Sequence, residues 1–195
     1  FSRALLQEAP GASIIGEVKC SQALYDEIEA AGGTPIMSKV GHSLIKARLK
    51  SSGALLAGEM SGHIFFVHRY LGFDDGVYAG ARLLEILSQS EQSLSELYET
   101  LPSMVNTPEI RVECPDEIKF QVVERVRDGL RAREDVTELI DIDGARALFA
   151  EGWGLVRASN TQPSLVLRCE ATDSDSLTSI RNIIESEIDK ARSSL

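Results

Sequence analysis

Two short polar segments lie between apolar runs. Gly58-Glu59-Met60-Ser61-Gly62-His63 directly follows Ala54-Leu55-Leu56-Ala57. In an open α/β sheet, ligands bind beyond the carboxyl ends of the strands, and Glu59 falls at such a position. A carboxylate there accepts hydrogen bonds from two neighbouring hydroxyls, as a sugar ring presents them, and the glycines let backbone approach a ligand. The second segment, Arg157-Ala158-Ser159-Asn160-Thr161-Gln162-Pro163, combines a guanidinium, two hydroxyls, an amide and backbone N–H groups. That set suits a phosphate: the planar fork of Arg binds it bidentately and the short polar residues add neutral donors. Each segment also has a plain structural reading. The first is then an ordinary loop with Glu59 solvated and His63 packed, and the second a polar hairpin turn whose hydroxyls satisfy their own backbone.

Lys19 at the end of the first apolar strand signal, and His42 beside Gly41 at a helix start, stand at strand-to-helix junctions and are candidates for the same crevice as Glu59. A surface lysine and a capping-region histidine are the alternatives. His63 and His68 share one strand signal at a spacing that points them to opposite faces. No Cys or carboxylate stands at a matching spacing, so no metal site is expected. Ser61 lacks the G-x-S-x-G setting of a hydrolase nucleophile, and neither G-x-G-x-x-G nor a P-loop occurs. Asp74-Asp75 reads as a helix N-terminus, and the stretch Asp141 to Asp143 as a hairpin turn.

The elements that must hold these residues follow from periodicity. Phe1 to Glu8 reads as the last turns of an amphipathic helix. Strands are expected at 14–18, 35–40, 54–57 and 64–67. Helices are expected at 21–31, with Leu24, Tyr25 and Ile28 inward; at 41–50, with Leu44, Ile45 and Leu49 inward; at 74–87, with Val77, Ala81, Leu84 and Ile86 or Leu87 on its apolar stripe; and at 93–100. This alternation predicts a three-layer α/β/α domain over 1–105. Past the turn-rich connector at Asn106-Thr107-Pro108, strand signals at 109–114, 138–142, 145–149, 152–157 and 164–170 and helices at 116–132 and 173–192 predict a smaller α+β domain over 106–195.

With 43% hydrophobic and 26% charged residues, the 195-residue chain is composed to form a core. A net charge of −10 argues against a general binder of nucleic acid or anionic membrane. A small anionic ligand is compatible with it if the basic groups are local. Cys20, Cys114 and Cys169 are odd in number and widely spaced, which fits reduced thiols in the cytoplasm. No apolar run is long enough to span a membrane.

Gly58 to His63 resembles the sugar-specificity loop of the α-D-phosphohexomutase superfamily, in the form found in its phosphomannomutase/phosphoglucomutase group. Gly152-Trp153-Gly154-Leu155-Val156-Arg157-Ala158-Ser159-Asn160-Thr161 is similar to that family's phosphate-binding loop. Glu17-Val18-Lys19-Cys20, Lys39-Val40-Gly41-His42-Ser43-Leu44-Ile45-Lys46 and Gly72-Phe73-Asp74-Asp75-Gly76 match it in order. The resemblance implies domains 3 and 4 of a four-domain enzyme, the second with a four-stranded antiparallel sheet like that of the TATA-box-binding protein. It implies interconversion of hexose 1- and 6-phosphates through a bisphosphorylated sugar. Glu59, Met60, Ser61, Gly62, Lys19 and His42 would bind substrate. Arg157, Ala158, Ser159, Asn160 and Thr161 would bind its phosphate. His63, Lys19 and His42 would face the reacting end, with His63 or Lys19 moving a proton or stabilising charge. The family's phosphoserine loop and magnesium loop belong to domains 1 and 2, which are expected upstream of Phe1. Mg2+ and a glucose 1,6-bisphosphate-type activator are implied for the whole enzyme, with no metal ligands in these residues, and this part alone is expected to be inactive. The alternative is a stand-alone sugar-phosphate-binding module.

Overall fold

The computed structural model describes residues 1–195. They form two compact units, Phe1–Pro102 and Ser103–Leu195.

The first unit runs α1 (Ser2–Glu8), β1 (Ser13–Glu17), α2 (Gln22–Ala30), β2 (Thr34–Ser38), α3 (His42–Ser52), β3 (Leu56–Gly58), β4 (Ile64–Phe66), α4 (Gly76–Ser88) and α5 (Leu94–Glu99). The sheet order is β2-β1-β3-β4; β1 is parallel to both neighbours and β4 is antiparallel to β3. Successive strand residues point to opposite faces, and here both faces are covered. Ile14, Leu56 and Phe66 pack with Leu5, Leu6 and Ile28 on one side. Ile15, Ala57 and Phe65 pack with Ile45 and Leu49 of α3 on the other. This is why these strands read as unbroken apolar runs. Ser21 caps α2 by accepting from the Ala23 N–H at 3.2 Å, and Asp75 caps α4 by accepting from the Tyr78 N–H at 2.9 Å.

α3 departs from its expected apolar stripe at one residue, and α4 is turned away from its stripe. Leu44 of α3 is 43% exposed, while Ile45 and Leu49 are buried as expected. In α4, Val77 is 86% and Leu84 69% exposed, Ala81 is also exposed, and the inward face carries Tyr78, Ala79 and Arg82. Aromatic and charged contacts set this rotation. The Tyr78 ring stacks on Tyr70 at 3.8 Å. The Arg82 guanidinium lies 4.9 Å over the Phe66 ring and pairs with Glu85 at 2.9 Å. An aromatic pair and a desolvated cation–π contact, each about 0.5–2 kcal/mol, hold a face that periodicity alone leaves outside.

The second unit runs β5 (Val105–Asn106), β6 (Ile110–Glu113), α6 (Lys119–Arg131), β7 (Glu138–Ile140), β8 (Ala145–Phe149), β9 (Gly152–Ala158), β10 (Ser164–Ala171) and α7 (Ser174–Ser193). Its sheet is antiparallel, ordered β5-β10-β9-β8-β7, with β6 also paired to β10. The sheet thus holds six strands, five abreast, rather than four. β5 and β6 share one edge of β10; between them Thr107 still bonds Cys169 through its N–H and Oγ1, and Pro108 has no N–H for the ladder. α6 and α7 cover one face, burying Val122, Val126, Leu130, Ile180, Ile184 and Ile188 against Ala145, Ala147, Val156 and Leu167. Each such side chain contributes about 1.5–3 kcal/mol, so packing outweighs capping, at about 1 kcal/mol, in fixing α7. No helix is long and apolar enough to cross a membrane.

Candidate functional site

In the first unit the candidate residues converge on one edge of the sheet. The crossovers from β1 to β2 and from β2 to β3 leave in opposite directions, so the switch point lies between the carboxyl ends of β1 and β3. Glu17 and Lys19 end the first of these strands and Glu59 the second. Gly41 and His42 follow β2. Because β4 is antiparallel, with Ile64 opposite Gly58, His63 enters from the same edge.

Hydrogen bonds hold the carboxylate of Glu59 in place. Its Oε1 accepts from the Gly41 N–H at 3.0 Å. Its Oε2 lies 3.6 Å from His42 Nε2 and 3.5 Å from Ser61 Oγ. The loop closes on itself: the Glu59 N–H donates to the His63 carbonyl and the Gly62 N–H to the Glu59 carbonyl, both at 2.9 Å. The His42 and His63 rings meet edge to face, centroids 4.3 Å apart. Asp74 orients His63: its Oδ2 lies 2.7 Å from His63 Nδ1, and its Oδ1 accepts from the Ile64 N–H at 3.1 Å. A carboxylate only accepts, so Nδ1 donates to Asp74, and in the neutral ring Nε2 then carries the lone pair. Asp74 and Asp75 therefore divide the labour read for them jointly. Asp75 is the cap, and Asp74 reaches back to His63.

Glu17 is a second organiser, a role that its sequence neighbours do not reveal. It is fully buried. Its Oε1 accepts from the Met60 N–H at 3.0 Å and its Oε2 from the Lys19 N–H at 2.7 Å, tying the Glu59 loop to the end of β1. Burial pushes its carboxyl above the usual range, and the two N–H donors pull the other way. The expectation of no metal cluster considered His63 with His68. The fold separates those two and instead gathers His42, Glu59 and His63, with one ligand atom from each within 4.8 Å of the others. His68 lies near Glu8 instead, at 3.6 Å.

In the second unit, Ser159 to Pro163 connects β9 to β10. Alternation along β9 points Val156 to the helices and Arg157 to the other face. Arg157 is buried and paired with Asp143 of the β7–β8 turn: Nε donates to Oδ2 at 3.1 Å. Ser159 Oγ accepts from the Gln162 N–H at 3.2 Å and the Thr161 N–H at 3.4 Å, the self-satisfying turn of the plain reading. Asn160 and Thr161 are exposed at its tip. Lys119, at the start of α6, anchors the loop, donating to the Ser159 carbonyl at 2.7 Å and the Gln162 carbonyl at 3.2 Å. Sequence reasoning missed the roles of Asp143 and Lys119. One reads as an ordinary turn residue and the other as one more helix residue.

Comparison with known proteins places both units. Residues 1–105 match the model described as phosphoglucomutase/phosphomannomutase, alpha/beta/alpha domain III, and residues 109–186 that of the C-terminal domain. A phosphomannomutase/phosphoglucomutase of Pseudomonas syringae is 50% identical over 190 residues, which cover 97% of this chain and 40% of that protein. One from Pseudomonas aeruginosa is 46% identical over 196 residues, covering 100% of this chain and 42% of that protein. The crystal structure of a phosphoglucomutase/phosphomannomutase family protein from Burkholderia thailandensis superposes with a TM-score of 0.88 at 42% identity, over 98% of this chain and 40% of that one. The chain thus spans about 40% of the length of the relatives it matches. Two successive family domains, matched across nearly every residue and shared with relatives at up to half identity, make this chain a member of the phosphoglucomutase/phosphomannomutase family.

Proposed function

We propose that the chain supplies sugar-hydroxyl and phosphate recognition to a phosphomannomutase/phosphoglucomutase, which interconverts hexose 1-phosphate and hexose 6-phosphate through a bisphosphorylated sugar. The observation that carries this is the held carboxylate of Glu59. Gly41 fixes one oxygen, and the other sits beside Ser61 and His42 at the crevice edge, where it can accept from ring hydroxyls. Glu59 and Ser61 take the hydroxyls, with the Met60 and Gly62 backbone lining the approach. Arg157, Ser159, Asn160 and Thr161, with the Ala158 backbone, take the phosphate not being transferred. Lys19, His42 and His63 face the reacting end. Among them His63 moves a proton through Nε2, because Asp74 fixes its ring and tautomer. The same hydroxyl contacts serve both half-reactions as the sugar turns over.

Phosphoryl transfer relies on a metal and on positioning. The tight donor cluster here has two imidazoles and one carboxylate, whereas magnesium takes an all-oxygen octahedron. The magnesium and the glucose 1,6-bisphosphate-type activator implied by the resemblance are therefore assigned to further domains, in the part of the longer relatives that this chain does not span. Those domains are also the proposed partners, and the exposed apolar face of α4 (Val77, Leu84) supports their docking. The cytoplasm, where three buried thiols stay reduced, is the proposed setting.

Titrating the chain with glucose 1-phosphate while recording amide NMR spectra tests the reading. Shifts confined to residues around Glu59 and Arg157 are expected. Their absence at millimolar ligand overturns the recognition role. Conversion of mannose 1-phosphate by the chain alone would overturn its restriction to recognition.

A further inference from the structure

We infer that His42, Glu59 and His63 form a three-ligand site for a divalent transition-metal ion of the zinc class, and that a bound ion and a sugar phosphate exclude each other there. The second half rests on the sugar reading of Glu59; the first does not.

The donor set selects the ion. Two imidazoles and one carboxylate, with a fourth position open to solvent, is a ligand set that zinc adopts and that hard cations do not. Ligand bonds of about 2.0–2.2 Å in a tetrahedron place neighbouring donor atoms about 3.4 Å apart. His42 Nε2 and Glu59 Oε2 already stand at 3.6 Å, and the most distant pair of the three is within 4.8 Å. The remaining adjustment falls on side chains with room to move, since His42 is 45% and His63 44% exposed. Glu59, at 6% exposure, is the fixed member.

The surrounding shell points the same way. A metal-binding histidine usually donates its other ring N–H to a carboxylate, which fixes the tautomer and raises ligand basicity. Asp74 stands on His63 Nδ1 at 2.7 Å and leaves Nε2 as the free donor. The Gly41 N–H occupies Glu59 Oε1 and leaves Oε2 toward His42. Two of the three ligands, Glu59 and His63, thus have their orientation set by a partner behind them. Because Glu59 Oε2 is also the proposed hydroxyl acceptor, an ion and a sugar compete for one lone pair.

The test uses the whole 195-residue chain, reduced and freed of metal, titrated with cobalt(II). One equivalent should develop the intense visible bands of a four- or five-coordinate ion without sulfur-to-metal charge transfer, and zinc should displace it. His42→Ala and His63→Ala should each abolish the bands. Their circular dichroism should be unchanged, because both rings are half exposed. Asp74→Asn should weaken cobalt binding about 10- to 100-fold. A spectrum that stays that of the aqueous ion overturns the site, as do bands that survive both histidine substitutions. Glucose 1-phosphate should then bleach the bands in proportion to its occupancy. If it shifts the amide resonances but leaves the bands, mutual exclusion is overturned and the metal site stands. If it produces no shifts while cobalt binds, the sugar reading fails and the metal site stands.

Discussion

The Arg157 guanidinium is held by Asp143 from the neighbouring turn, Nε to Oδ2 at 3.1 Å and a second nitrogen to Oδ1 at 3.4 Å. The pair engages two of the three guanidinium nitrogens, and the third is the one the proposed phosphate would take. Removing one partner of such a pair strands the other's charge, at about 3–5 kcal/mol when fully buried. Asp143→Ala should therefore lower the urea midpoint of the second unit and weaken phosphate-dependent shifts at Asn160 and Thr161. Unchanged stability together with unchanged shifts would show that Asp143 does not position Arg157.

Arg157→Ala removes the proposed charge-assisted phosphate contact itself, worth about 1.5–3 kcal/mol. Affinity for glucose 1-phosphate, read from the same titration, should fall roughly 10- to 100-fold. Arg157→Lys should recover only part of this, because a point charge cannot reproduce the planar fork. Equal affinity in all three proteins would remove the phosphate role.

Glu17 makes the stability of the first unit depend on pH. Its folded carboxyl is raised above the usual value of 4.5, chiefly by burial. The group's contribution is thus fully present below that pH and is lost as pH rises through the folded value. Glu17→Gln cannot ionise, and it offers one acceptor oxygen where Met60 and Lys19 require two, a fixed cost of about 1–3 kcal/mol. In urea melts at stepped pH, the wild type's advantage over Glu17→Gln should shrink on going from below 4.5 to neutrality. A gap that widens with pH would contradict the burial assignment.

What the sequence made legible follows from how local each signal is. The run Leu56-Ala57 followed by Gly58-Glu59 announces a strand and the loop beyond it, because burial on both faces demands continuous apolar residues. Ser21 and Asp75 announce helix starts, because a cap bonds within three residues. The partners of the candidate residues were not legible. Glu17 reaches Met60, His42 meets His63, and Asp143 meets Arg157, at separations that only strand order fixes. Val77 and Leu84 misled for the same reason: their helix is rotated by contacts from other elements, such as Tyr70 on Tyr78 and Phe66 under Arg82.

The Cys169 thiol lies in the helix-covered core at 1% exposure, and burial pushes it up to about 12. At pH 8 its thiolate fraction is about 10⁻⁴, and the thiolate is the reactive form. A disulfide reagent should leave Cys169 unmodified in the folded chain and modify it at once in guanidinium, as followed by mass spectrometry of the peptide. Rapid labelling under native conditions would mean that β10 opens far more often than its packing implies.

Gly144 closes the turn that presents Asp143. Its φ is +93°, and a Cβ built there would stand 2.3 Å from the Val156 carbonyl oxygen and 2.7 Å from Arg157 Cβ. The backbone conformation alone costs an L-residue about 1–2 kcal/mol. The clash adds about 1–3 kcal/mol, because the nearest atom belongs to the β9 backbone and cannot swing aside. Gly144→Ala should therefore destabilise the second unit by about 2–5 kcal/mol. It should also displace Asp143 from Arg157, so its phosphate-dependent shifts should resemble those of Asp143→Ala. Destabilisation with normal phosphate shifts would separate the turn's structural role from its part in positioning Arg157. Wild-type stability in this variant would refute the close approach itself.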